Sequence, residues 1–158
     1  MRGIHFRNAL IGAEVGMIGA ISFTATGSGD FARCSFTNCS TGGGKGAIYV
    51  DGTNLYGITF VPVALTSCNF TENRASKGRG GGAVFVIGNA KVAIAGCRFD
   101  QGANTSQGQN DVANEGSFAD SIIFECPPGT TGKAVRMPKG ATWSTGVLPP
   151  SKEVVHCR

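Results

Sequence analysis

Two carboxylates and a few cations carry most of the chemistry that residue types and spacing allow in this chain. Glu72 and Asp100 fall in successive copies of a repeated motif, beside Arg74 and Arg98. Sugar hydrolysis needs two carboxyl groups about 5–9.5 Å apart around a cleft, and two neighbouring layers of chain provide that spacing. No aromatic platform or third acid accompanies them, and the 10 Asp and Glu residues are otherwise scattered. An exposed, ion-paired edge is therefore the better reading of Glu72 and Asp100, with catalysis as the alternative. Lys45, and Lys77 with Arg79 one copy later, lie in glycine-rich corners. Stacked, they make a short basic stripe suited to an anionic glycan or an acidic protein surface. The same charges also serve as solvated edge groups that discourage strand-to-strand association.

Other constellations exclude themselves. Gly78-Arg-Gly80-Gly-Gly-Ala83 fits G-x-G-x-x-A, but a strand pattern follows it where a helix must offer its N-terminus to phosphate. Gly42-Gly-Gly-Lys45-Gly46 lacks the glycine spacing and the Ser or Thr of a phosphate-binding loop. Cys34 and Cys39 have no second cysteine pair, and His5 and His156 are isolated, so neither metal nor cofactor is expected.

The elements that position these groups come from an internal repeat. Cys34-Ser-Phe36-Thr-Asn38, Cys68-Asn-Phe70-Thr-Glu-Asn73 and Cys97-Arg-Phe99 open alike, with Asn104 further on and an earlier version at Ile4-His-Phe6-Arg-Asn8. Gly19–Phe23, Gly42–Val50 and Gly80–Val86 supply a glycine corner followed by a small-apolar run. Ala20 precedes Cys34, and Ala83 precedes Cys97, by the same 14 residues; between Ala47 and Cys68 about seven more intervene, around Tyr56–Val63. Cysteine to cysteine, the copies advance by 34 and then 29 residues.

Short β-branched or aromatic runs bounded by Gly, Asn or Asp read as strands. The one rival helix, Ala9–Ile21, contains Gly12, Gly16 and Gly19, each costing about 1 kcal/mol. Short strands without crossover helices wind into a parallel β-solenoid whose layers lie about 4.8 Å apart. Its columns would be Cys34, Cys68 and Cys97; Phe36, Phe70 and Phe99; and Ala20, Ala47 and Ala83. Asn38 and Asn73, with Asn104, would stack at one corner and satisfy turn backbone. Cys39 would share the slot of Ala9 and Ala75.

Composition agrees. The chain has 158 residues, 41% hydrophobic and 15% charged, a single-domain length without the signature of disorder. Its 25 glycines lack collagen's three-residue period, and no uninterrupted apolar run reaches membrane-spanning length. A net charge of +4 is too mild to imply nucleic acid.

The alternation of C/S-x-F-x-x-N-x-A with G-G-A-hydrophobic, over about residues 4–125, resembles the repeat of the polymorphic outer-membrane proteins. The resemblance implies a right-handed parallel β-helix of the pectate-lyase-like superfold, here of about three to four coils. It also implies a place in surface or secreted proteins, many of them adhesive.

Beyond Cys126 lie five of the six prolines, so residues 126–158 read as an irregular cap or tail. A Cys126–Cys157 bridge would close a loop of about 31 residues and contribute roughly 3–4 kcal/mol. Cys34, Cys68 and Cys97 read instead as small buried apolar residues, because parallel Cβ vectors in a column do not favour a bridge. The tail bridge and the triplets Asn69-Phe-Thr71 and Asn104-Thr-Ser106 fit an extracellular, surface or other oxidising compartment. Glu14 interrupts the apolar stretch that would otherwise imitate a signal peptide. Solenoid ends need covering, and the N-terminal layer shows no cap, so either a protein partner covers the open end or the sequence is a piece of a longer chain. The expectation is thus a non-catalytic structural or interaction module, with a carbohydrate-active or glycan-binding protein as the alternative.

Overall fold

The computed structural model describes residues 1–8, 10–11, 20–24, 27–41, 45–53, 60–75, 82–100, 112–116, 121–125, 134–136, 142–143 and 154–156. Within them the secondary structure is all strand, and strands equivalent by repeat pair with one another in parallel. Strands numbered in chain order, β1 (His5–Arg7), β5 (Ser35–Thr37), β9 (Asn69–Thr71) and β13 (Arg98–Phe99) form one sheet in that spatial order. A second sheet carries β2 (Leu10–Ile11), β6 (Ser40–Thr41) and β10 (Arg74–Ala75). The third runs β3 (Ile21–Thr24), β7 (Ile48–Gly52), β11 (Val84–Gly88), β14 (Val112–Gly116) and β17 (Thr142–Trp143). The fourth runs β4 (Gly29–Ala32), β8 (Val61–Thr66), β12 (Ala90–Ala95) and β15 (Ile122–Glu125). In the tail, β16 (Ala134–Arg136) and β18 (Val154–His156) pair antiparallel, while β17 joins the edge of β14.

Register follows the repeat without slippage. Phe6 pairs with Phe36, Phe36 with Phe70, and Phe70 with Phe99. Their rings stack at 4.8, 5.0 and 5.0 Å between centroids, within 6° of parallel. The strand spacing sets that distance, and the offset contact of flat rings adds to the burial it brings. Alternate residues of the long strands point the same way: Val61, Val63 and Leu65 are buried beside Ala90, Val92 and Ile94. The buried faces of the first, third and fourth sheets meet in one hydrophobic cluster that includes the Cys, Phe and Ala columns and Cys39.

Left-handed residues turn the chain at fixed places. Gly3, Arg33, Ser67 and Gly96, with φ between 53° and 63°, lie directly before the position of Ile4, Cys34, Cys68 and Cys97. Asn8, Asn38 and Glu72, with φ of 54°, 52° and 57°, follow the Phe-containing strands. Asparagine adopts this conformation at little cost, whereas Arg33, Ser67 and Glu72 do so against roughly 1 kcal/mol of Cβ repulsion. In-register bonds such as Arg33 N–H to Thr66 and Asn38 N–H to Thr71 hold them there.

A third corner joins the third sheet to the fourth. Gly52 and Gly88 are paired in register, and Asn89 bridges to the layer below: its N–H donates to Gly52, and its carbonyl accepts from Val61 N–H. The extra residues of the middle copy therefore fall between Gly52 and Val61, where the next copy needs Asn89 alone. A Cβ at Gly52 would lie 2.1 Å from the Asn89 carbonyl oxygen, which is backbone and cannot swing aside. Gly52→Ala is expected to cost about 2–4 kcal/mol, the range of severe packing defects. Chemical denaturation of both proteins measures it.

Candidate functional site

The cysteine column is a hydrogen-bonding device as well as an apolar one. Cys34 Sγ lies 3.5 Å from the carbonyl of Ala32 and 3.8 Å from that of Met1. Cys68 Sγ lies 3.5 Å from both Thr66 and Phe31 carbonyls, and Cys97 Sγ 3.7 Å from Ala95 and 3.3 Å from Leu65. Each thiol thus meets the carbonyl two residues back and one in the layer beneath. Cys39 repeats the arrangement at the next corner, with Thr37 and Phe6. These small, weakly donating thiols add a second, weak bond to corner carbonyls such as those of Ala32, Thr37, Thr66 and Ala95, which already accept backbone N–H groups from the neighbouring layer. All four remain thiols; Cys34, Cys39 and Cys68 are buried and Cys97 half-buried. Cys68 N–H also donates to Cys97 Sγ at 3.3 Å. The hydrogen bond with Cys97 lowers the Cys68 thiol to about 7, while the same neighbour and burial push Cys97 up.

Asn38 and Asn73, expected in one column, fall one position apart. Thr37 pairs with Thr71, which places Asn38 level with Glu72 and Cys39 level with Asn73. Asn38 is half-buried at the corner and donates its amide to Asn8 Oδ1 at 2.8 Å. Asn73 is fully buried: its Oδ1 accepts from Cys39 N–H at 3.0 Å, and its Nδ2 donates to the Phe36 carbonyl at 3.0 Å. It stitches two layers together at their turn. The slot of Cys39 is accordingly that of Asn73, and Ala75 pairs with Thr41. Asn73→Ala leaves two buried backbone groups short of a partner, each worth about 1–3 kcal/mol. Asn38→Gly keeps the left-handed turn, and its loss is expected to stay within about 1 kcal/mol. Thermal unfolding of the two variants should separate them clearly.

The expected basic stripe is represented by Lys45, since Lys77 and Arg79 lie outside the described residues. Lys45 Nζ sits 4.1 Å from the centroid of the Tyr49 ring. Tyr49 hydroxyl donates to Asp51 Oδ2 at 2.8 Å, and Asp51 Oδ1 accepts from the N–H and hydroxyl of Thr53 at 2.9 and 2.6 Å. Lys45 is thus committed to a local network of Tyr49 and Asp51 rather than standing out as a free cation. Tyr49, Phe85 and Ala113 form a second, smaller apolar cluster apart from the main core. The strict alternation of β7 and β11 gives the clue: Ile48 and Val50 face the core, so Tyr49 must face the other way, and yet it is 2% exposed.

Burial pushes the Asp51 carboxyl up, but the Thr53 hydroxyl and N–H, the Tyr49 hydroxyl and Lys45 outweigh it and hold it below 3.8. A carboxyl depressed on folding stabilises above its unfolded value and loses that contribution as pH falls through its folded one. Below about pH 4, stability should therefore fall more steeply in the natural protein than in Asp51→Asn. Urea midpoints at stepped acid pH give the comparison.

Glu72 and Asp100 come together only loosely. Asp100 N–H bonds to the Phe70 carbonyl in the layer beneath, near Glu72, and both side chains are exposed beside exposed Arg74 and Arg98. Glu72 follows β9 at the left-handed corner and Asp100 follows β13. Cys126, Cys157 and Asn104 lie outside the described residues. On the fourth sheet, the outer side chains of β4, β8, β12 and β15 frame an open apolar hollow of about 410 Å³, with Asp30, Pro62, Ala64, Lys91, Ala93 and Ile123 among its lining. Among the described residues no three His, Cys, Asp or Glu side chains gather as metal ligands, and no helix is long and apolar enough to cross a membrane.

Among the described residues β1, β2 and β3 have a single bonded neighbour each, and the fourth edge, β4, is met by residues 1–3 through a bridge at Arg2 and bonds between Ala32 and both Met1 and Gly3. Phe6, Ala20, Ile21 and Phe23 are only partly buried against the core here, and Met1 and Ile4 are exposed. No family model, curated protein or solved structure matches the chain.

Proposed function

We propose that this protein is a non-catalytic structural or interaction module, built as a short right-handed β-solenoid, whose open first layer packs against a protein partner. The reading rests on one observation: among the described residues, three parallel strands, β1, β2 and β3, end their sheets side by side with partly buried aromatic and aliphatic residues behind them. A row of unpaired strand edges is a template for a further strand, and half-covered core residues add apolar area that association would remove from water. In-register parallel pairing of four repeat copies supports the solenoid, and the motif's likeness to polymorphic outer-membrane-protein repeats supports its hand and a surface or secreted setting. The exposed Asn69 of Asn69-Phe-Thr71 fits such a setting as well. Carbohydrate chemistry at Glu72 and Asp100 has less behind it, since both carboxylates stand on an exposed outer face.

Sedimentation of the purified chain tests the reading. Self-association or capture of a partner is expected, and Ile4→Asp, at an exposed position of this edge, should abolish it while leaving the circular dichroism spectrum intact. A chain that stays monomeric and partner-free at high concentration, or one whose association ignores Ile4→Asp, would overturn it.

A further inference from the structure

We propose that Cys68 and Cys97 form a two-coordinate binding site for a soft monovalent cation of the copper(I) kind. The pair sits in one column on the adjacent strands β9 and β13, immediately before Asn69 and Arg98, which are in register. Column geometry separates equivalent atoms by about 4.8 Å, and side chains leave neighbouring strands in parallel. A disulfide needs sulfurs about 2.05 Å apart and Cβ atoms converging to about 3.8 Å, which this arrangement opposes. Two metal–sulfur bonds of about 2.3 Å laid end to end span about 4.6 Å, close to the column's own step. The parallel departure of the two side chains thus disfavours a bridge, and the layer step suits a linear bis-thiolate after a small adjustment of the two thiols.

Ligand count selects the ion. Structural zinc takes four donors, and no third His, Cys, Asp or Glu gathers with this pair among the described residues. Thiolates prefer soft ions, and a linear two-sulfur site suits a monovalent d10 cation. Binding would replace two S–H bonds with two S–metal bonds, release two protons to solvent and leave a bis-thiolate of net charge −1. Cys68 N–H, 3.3 Å from Cys97 Sγ, already points a donor at the sulfur that would carry that charge. Access distinguishes this pair from the one below it: Cys97 is half-exposed, whereas Cys34 and Cys68 are 1% and 0% exposed. The lower part of the column is closed, and Cys97 alone of the three is partly exposed.

Anaerobic titration of the folded, reduced chain with copper(I), in competition with bathocuproine disulfonate, tests the site. Cys126 and Cys157 are first changed to Ser so that tail thiols contribute nothing. One equivalent should bind with release of two protons, Cys97→Ala should bind none, and Cys39→Ala should bind as the parent does. X-ray absorption of the loaded protein should show two sulfur neighbours and no nitrogen or oxygen. Because Cys97 is half-exposed, Cys97→Ala is expected to fold, and its near-ultraviolet spectrum checks that. Unchanged uptake in Cys97→Ala, a shell of three or four ligands, or ready formation of a Cys68–Cys97 disulfide with glutathione disulfide would each overturn the proposal.

Discussion

The structure depends on in-register parallel pairing between copies of one motif. Backbone bonding fixes a step of about 4.8 Å between layers, and whatever a copy carries at a given position lies over the same position of its neighbour. The phenylalanine column shows the consequence most directly, because four rings at successive centroid distances of 4.8–5.0 Å match the backbone step almost without adjustment. A slip of one residue would turn every buried side chain outward. Burial and hydrogen bonding therefore enforce a single register together.

Corners obey a different economy. Strands satisfy each other, but where the chain turns, carbonyl and N–H groups lose their ladder partners and must find others. In-register backbone bonds such as Arg33 N–H to Thr66 supply most of them, the amide of Asn73 supplies others, and the thiols at Cys34, Cys39, Cys68 and Cys97 add weak second contacts to the same carbonyls. These residues are small enough to fit inside a turn and polar enough to bond there. Cysteine heads three of the four copies, where Ile4 heads the first, and it suits a buried position that also faces carbonyls. Among the described residues the same cysteines concentrate the interior's chemistry, so the head of the motif also sets the reactivity of the column.

Much of this was legible in the chain itself. Cys-x-Phe at three positions and Gly-Gly-Ala runs at fixed distance announce stacked strands, because equivalent residues must share an environment. Asn38 and Asn73 misled for a physical reason. Both follow the same aromatic, but Glu72 occupies the left-handed position that Asn38 holds one layer away, pushing Asn73 one step further into the interior. Motif spacing counts residues and does not see which of them takes the turn. Tyr49 was hidden similarly: strand alternation marks it as outward-facing, whereas its cover comes from Lys45, Asp51 and the second cluster around Phe85. Local pattern does not reveal a partner that lies on another strand.

The corner between Gly52 and Val61 spans eight intervening positions, while its counterpart between Gly88 and Ala90 spans one, and the strands on either side remain paired residue for residue. Chain length at this point is thus decoupled from the scaffold's geometry. A foreign peptide spliced there would be displayed at the rim of an otherwise unaltered stack, making this the natural place to graft a new recognition loop.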